Sequence, residues 1–218
     1  ILRRVVTPGD GVVITPPVYP PFFELVPEAG GVVAEVPLIS ATADDDGDGQ
    51  LRLDLDALEA AFRAGAKAFL LCNPHNPVGR VFEHAELSRI AELAERHDLV
   101  ICSDEIHCGL VLDPARPHIP IATLDEAVAR RTITLMAPSK TWNIPALYCA
   151  FAIIPDAALR ARYKRAMAGI VPHVNVLGLT ATEIAYRDCG PWREALLDTL
   201  RANAARVFEA INALPGLS

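Results

Sequence analysis

The stretch AFLLCNPHNPVGRVFEHAELSRIAELAERHDLVICSDEIH (Ala68–His107) decides the fold. It opens on an unbroken apolar run, Ala68–Cys72, and breaks at Asn73-Pro74. It then carries Leu87, Ile90, Leu93 and Ala94 on one helical face, with Glu86, Arg89, Glu92 and Arg96 turned outward. A second apolar run, Leu99–Cys102, follows. A strand without polar alternation is buried on both faces, and two such strands joined by an amphipathic helix make a βαβ unit with parallel strands. The same rhythm extends both ways. Gly11–Thr15, Gly31–Pro37, Thr132–Leu135 and Cys149–Ile154 read as further short strands, and Leu55–Ala64 as another helix. The expectation is an α/β fold, a mainly parallel mixed sheet of about seven strands wrapped by helices.

The last third changes character. Asp156–Met167, Val174–Asp188 and Trp192–Leu214 have helical spacing and no strand pattern. The longest carries Ala195, Leu196, Leu200, Ala204, Val207 and Ile211 on one stripe and stops at Pro215-Gly216. Pro16-Pro17-Val18-Tyr19-Pro20-Pro21 is a stiff turn after the first strand. Asp44-Asp45-Asp46-Gly47-Asp48-Gly49 matches the first half of a calcium loop, but Leu55 stands where a bidentate Glu is required, so a solvated turn is expected.

The 218 residues are 51% hydrophobic and 22% charged, which sets disorder aside as the main state. A net charge of −7 argues against a nucleic-acid surface, and no apolar run reaches the length of a membrane span. The five cysteines are odd in number and form no CxxC pair, which favours a reducing, cytoplasmic compartment over a disulfide framework. Cys72, Cys102 and Cys149 sit inside apolar runs and read as buried small hydrophobes. No targeting segment is legible, and the chain starts at Ile1, as a fragment or a processed chain would.

In doubly wound sheets, ligands sit at the carboxyl ends of the strands. Three polar clusters fall there: Cys72–Gly79 (CNPHNPVG), Ser103–His107 (SDEIH) and Ala137–Asn143 (APSKTWN). No glycine-rich phosphate loop, GxSxG elbow or HExxH appears, and His75, His107 and His118 lack metal-ligand spacing, so no metal site is expected. What remains is a Lys, an Asp and hydrogen-bonding side chains. That set suits a cofactor bearing an aldehyde, an aromatic nitrogen and a phenolic oxygen.

NPHNPVGRV (Asn73–Val81), SDEIH (Ser103–His107), SKTWN (Ser139–Asn143) and PPVYPPF (Pro16–Phe22) resemble, in order and spacing, the fold-type-I pyridoxal 5'-phosphate enzymes of aminotransferase class I/II. The closest branch is the MalY/PatB cystathionine β-lyase-like group, and the resemblance covers nearly the whole chain. It implies a homodimer acting on a small amino-acid substrate, with neither nucleic acid nor membrane as partner. Lys140 and Asp104 would be catalytic: Lys140 would bind the cofactor aldehyde and shuttle the substrate's Cα proton, and Asp104 would keep the ring nitrogen protonated. Asn76 and His107 would lie at the ring oxygen, with His107 where aminotransferases place a Tyr. Tyr19 would stack on the ring, and Ser139 would contact the phosphate. Trp142 and Asn143 read equally as packing or pocket, and Glu105 and His75 as structural.

Two departures bear on the reaction. Ala137 and Tyr148 stand where many class I/II enzymes carry a phosphate-binding Ser or Thr and a phosphate-binding Arg. With the wording of SDEIH and NPHNPVGR and His107 in place of a Tyr, the Arg missing at Tyr148 makes the resemblance favour carbon–sulfur β-elimination on cystathionine or a related cysteine S-conjugate over transamination, with a catalytically silent protein-binding regulator as a third reading. It also implies that residues 1–218 are the central cofactor-binding domain. The N-terminal segment and the C-terminal small domain, with the phosphate-binding turn and the Arg that grips the substrate carboxylate, would lie outside them.

Overall fold

Backbone pairing follows the apolar runs. The computed structural model describes residues 2–40 and 50–216. The chain divides into two compact units. The first comprises Ile1–Glu105, His118–Met136 and Ala150–His173, and the second Ile106–Pro117, Ala137–Cys149 and Val174–Ser218. The Asp44–Gly49 run lies outside the described residues.

In the first unit, β1 (Gly11–Ile14), β2 (Val32–Glu35), β5 (Ala66–Cys72), β6 (Val100–Asp104), β7 (Thr132–Met136) and β8 (Phe151–Ile153) form one sheet in the order β2-β1-β5-β6-β7-β8. Every neighbouring pair is parallel except β7–β8, which is antiparallel. The sheet thus has six strands among the described residues, one fewer than the pattern suggests. β3 (Ile39–Ser40) and β4 (Leu51–Arg52) pair separately as a short antiparallel ribbon.

Alternation along the strands divides the core in two. Val13, Phe69, Leu71 and Ile101 point to one face, where they meet Leu58 and Phe62 of α3 (Leu55–Arg63), Leu87, Ile90 and Leu93 of α4 (His84–Arg96) and Val128 of α5 (Glu126–Arg130). Val12, Ile14, Leu70, Cys72 and Cys102 point to the other, against Leu2 of α1 (Leu2–Val5), Phe22 and Val26 of α2 (Pro21–Glu28) and Leu159 of α6 (Ala157–Met167). Helix starts are set by local chemistry. Asp54 accepts from the Ala57 amide at 2.9 Å, Asp156 accepts from Leu159 at 2.7 Å, and Glu83 and Glu86 make a reciprocal capping box. Glu59 of α3 receives Arg89 and Arg96 of α4 at 3.2 and 2.8 Å, which ties the two helices across their solvent side.

The second unit holds α7 (Val176–Asp188) and α8 (Gly190–Asn212), which pack on each other. The expected α8 stripe exists as a pattern, yet Leu197 is the one buried α8 residue among those described, and Ala195, Ala204, Val207 and Ile211 are exposed. No described helix is long and apolar enough to cross a membrane.

Because Ile90 is fully buried between α4 and the sheet, Ile90→Ala should destabilise the chain by about 2–5 kcal/mol. Glu92→Ala, on the solvent side with its Arg89 pair, should cost less than about 1 kcal/mol. Urea unfolding of the two variants measures the difference.

Candidate functional site

The register of the parallel ladder sets the site. Cys72 pairs with Asp104, and Asp104 with Leu135, so β5, β6 and β7 end side by side. The Asp104 carbonyl accepts from the Asn73 amide at 3.0 Å, and the next amide, Glu105, donates to the Leu135 carbonyl at 3.0 Å. Asp104 is therefore anchored to both neighbouring strands, with its carboxylate half-buried at the carboxyl edge.

The turn after β5 is shaped by its own residues. The Cys72 thiol donates to the Pro74 carbonyl at 3.6 Å, and its sulfur accepts from the Asn76 amide at 3.4 Å. His75 closes the turn through its amide to Arg80 O and its carbonyl from Gly79 N, both at 2.7 Å, with Gly79 at φ +72° where a side chain would be strained. Arg80 then reaches Glu86 of α4 in a two-pronged pair at 2.7 and 2.9 Å. Burial pushes the Cys72 thiol up to about 11 and Cys102 to about 12, so both are inert packing groups, and no disulfide joins any of the five cysteines.

His75 is buried, and both its ring nitrogens face backbone carbonyls: Nδ1 lies 3.1 Å from Cys72 O and Nε2 lies 3.0 Å from Pro17 O. The ring joins the turn that carries Asn76 to the Pro16–Pro21 turn that carries Tyr19. Tyr19 itself is 42% exposed, braced edge-on by Phe22 at 6.0 Å. The first unit thus brings Tyr19, Asn76 and Asp104 to the carboxyl ends of β1, β5 and β6, which are adjacent strands. Two buried polar atoms at these ends, Thr15 Oγ1 after β1 and Asn73 Nδ2 after β5, have no partner among the described residues.

His107, Ser139 and Lys140 belong to the second unit. Lys140 is exposed, and Ser139 and His107 are half-buried. Ser139 and Lys140 sit in consecutive turns, held by Trp142 N to Pro138 O at 2.9 Å and Ile144 N to Ser139 O at 3.2 Å. Gly109 lies so close to Thr141 that a Cβ there would overlap the threonine side chain, which seats the His107 segment against the Lys140 segment. Trp142 packs edge-on against Tyr186 at 4.5 Å and donates from Nε1 to Cys189 O at 3.3 Å, while Asn143 is exposed in the left-handed region. Trp142 is thus a packing residue of this unit.

In the first unit a carboxylate, an amide, an aromatic face and two polar atoms without a partner among the described residues suit the ring of a pyridine cofactor; the second unit, taken by itself, carries an exposed amine that suits an aldehyde. His75 and Glu105, read from the sequence as structural, are buried and hydrogen-bonded; what the sequence does not show is that Glu105 joins Ser103 and His118 in one cluster. Serine Oγ donates to Glu105 Oε1 at 2.8 Å, and His118 Nε2 lies 2.8 Å from Glu105 Oε2. The adjacency of Glu105 to Asp104 was the available signal.

The aminotransferase class I and II family matches residues 1–218. Cystathionine β-lyase PatB of Bacillus subtilis (strain 168) is 36% identical over 198 residues, 90% of this chain and 49% of that protein. Protein MalY of Escherichia coli (strain K12) is 36% identical over 217 residues, 98% of this chain and 53% of that one. The crystal structure of cystalysin from Treponema denticola, which contains a pyridoxal 5'-phosphate cofactor, superposes with a TM-score of 0.90 at 34% identity, covering 99% of this chain and 53% of that one. The chain spans about half the length of the curated relatives it matches.

Burial holds the His75 pKa below the ordinary value of 6.5, against the pull of the carbonyls around it. The unfolded chain therefore binds this proton more readily, so stability present above pH ~6.5 is lost as the pH falls through the lowered value. Urea unfolding between pH 7 and 5 should show that loss, and His75→Gln should flatten it.

Proposed function

We propose that this chain, which belongs to the aminotransferase class I and II family, is the cofactor-binding part of a pyridoxal-phosphate-dependent carbon–sulfur β-lyase. The substrate is cystathionine or a related cysteine S-conjugate, and the products are pyruvate, ammonia and a thiol. The observation that carries this reading is Asp104, whose backbone is held by the ladders of β5 and β7 at the carboxyl edge of the sheet. The choice of lyase rests on the likeness to a cystathionine β-lyase over nine-tenths of the chain. It rests also on Tyr148, which stands where an aminotransferase carries its phosphate-binding Arg and is 84% exposed.

When bound, the cofactor supplies an electron sink for the negative charge left at the substrate Cα. Asp104 holds the proton on the ring nitrogen that makes this sink effective. Lys140 would hold the cofactor through its aldehyde, and its Nζ would be the base that accepts the substrate Cα proton. Asn76 and His107 would hold the ring oxygen, Tyr19 would cover a ring face, and Ser139 would contact the phosphate. Transamination is the second reading, favoured by the family match itself. Five cysteines without a disulfide fit a cytoplasmic setting.

The full chain mixed with pyridoxal phosphate should develop the near-visible band of a lysine-bound cofactor. Lys140→Ala should lose the band, and Asp104→Ala should lose at least about 10²-fold in turnover. An unaltered spectrum in Lys140→Ala sinks the assignment. Cystathionine supplied without keto acid should give pyruvate and free thiol over many turnovers. Conversion that needs a keto acid and yields its amino acid would establish the aminotransferase instead, and no turnover under either condition would favour a protein-binding regulator.

We also propose a homodimer. Its support is the exposed apolar surface of the second unit, where Val176, Leu177, Val207 and Phe208 are 73%, 69%, 57% and 71% exposed. Sedimentation velocity should give a dimer, and a strict monomer over the micromolar range overturns this.

A further inference from the structure

We infer that Glu105 and His118, with Ser103, are positioning residues that hold the end of β6 and so the Asp104 carboxylate. This rests on the cofactor reading above and goes beyond it by giving a role to groups that never touch the cofactor.

Alternation along β6 places Ser103 and Glu105 on the face of Ile101, toward the core shared with α3 and α4, and Asp104 on the face of Cys102. The next amide, Glu105, still bonds to Leu135, so the alternation runs one residue past the strand. The residues flanking Asp104 are thus both turned inward. Ser103 is fully buried and Glu105 is 1% exposed. A carboxylate so deep is costly unless both oxygens find donors. They do: Ser103 Oγ donates to one at 2.8 Å, and His118 Nε2 lies 2.8 Å from the other. The His118 side chain is itself 8% exposed, and its Nδ1 is buried with no partner among the described residues. With Nδ1 facing no acceptor, a ring proton belongs on Nε2, directed at Glu105.

The pair has a second consequence through the chain. The first unit ends a segment at Glu105 and resumes at His118, so the residues on either side of Ile106–Pro117 are bonded to each other. That excursion carries His107. A side chain swing at Glu105 or His118 would move the backbone of Asp104 on one side and release the base of the excursion on the other. Outer-shell partners of this kind tune the affinity of a bound group about 10- to 100-fold in metal sites.

The test uses the full chain, titrated with pyridoxal phosphate and followed by the absorption of the lysine-bound cofactor, together with amide hydrogen exchange on the cofactor-free protein. His118→Ala should raise the apparent Kd about tenfold or more and speed exchange at residues 104–110, with the far-ultraviolet circular dichroism unchanged. His118→Gln, which still offers an N–H to Glu105, should recover most of both. Glu105→Leu keeps the volume but offers no acceptor to Ser103 or His118, and should behave like His118→Ala. If His118→Ala does not fold, Ser103→Ala and Glu105→Leu carry the same comparison. A folded His118→Ala or Glu105→Leu with wild-type Kd, band and exchange overturns the inference, as would a loss that His118→Gln does not recover. A wild-type chain that develops no lysine-bound band would defeat the cofactor reading alone. The exchange arm would then still decide whether the pair holds the strand end.

Discussion

The parallel ladder through β5, β6 and β7 is the constraint on which the first unit depends. Parallel strands carry apolar side chains on both faces, so they are stable only when helices cover both. In this chain α3, α4 and α5 close one face and α1, α2 and α6 the other. Once both faces are closed, the register has no freedom to slip, because a shift of one residue would exchange the two cores. Fixing the register fixes which residues stand at the carboxyl edge, and Asp104 stands there between Cys72 and Leu135.

Polar chemistry then accumulates where the ladder ends, since backbone groups beyond the last pair must be satisfied by side chains or turns. The solutions differ along the edge. After β5 a buried histidine and a thiol organise two turns, and after β6 a buried glutamate is satisfied by a serine and a histidine. These are interior hydrogen bonds in which each donor or acceptor would be costly if left alone. They make the edge rigid without occupying it. The side chains assigned to the cofactor, Tyr19, Asn76 and Asp104, stay outside this buried layer, half-buried or exposed.

The second unit is held differently. Its internal links are a close backbone approach at Gly109, the Trp142–Tyr186 contact, Arg201 donating to the Leu112 carbonyl at 2.7 Å, and the packing of α7 on α8. Burial raises the Tyr186 phenol to about 12, so it stays a neutral packing partner at ordinary pH. Among its described residues, Leu197 is the one buried position of α8, and Val207, Phe208 and Ile211 are exposed.

The six strands of the main sheet, the amphipathic α4 and the three helices of the last third were legible in the sequence alone, because hydrophobic period is a local property, whereas the short β3–β4 ribbon was not. The strand-end clusters around Asn76, Asp104 and Lys140 were legible too, since Pro, Asn and Asp after an apolar run mark a chain leaving the sheet. Three things were decided only by tertiary structure. The strand order and the in-register ends of β5, β6 and β7 come from pairings between residues far apart in the chain. The roles of His75 and Glu105 depend on acceptors and donors supplied from other segments, Pro17 and His118, which no spacing rule connects. The exposure of the α8 stripe, which its own periodicity presents as a core face, depends on what else is present to cover it. Period shows that a face is apolar; only the packed molecule shows whether anything lies against it.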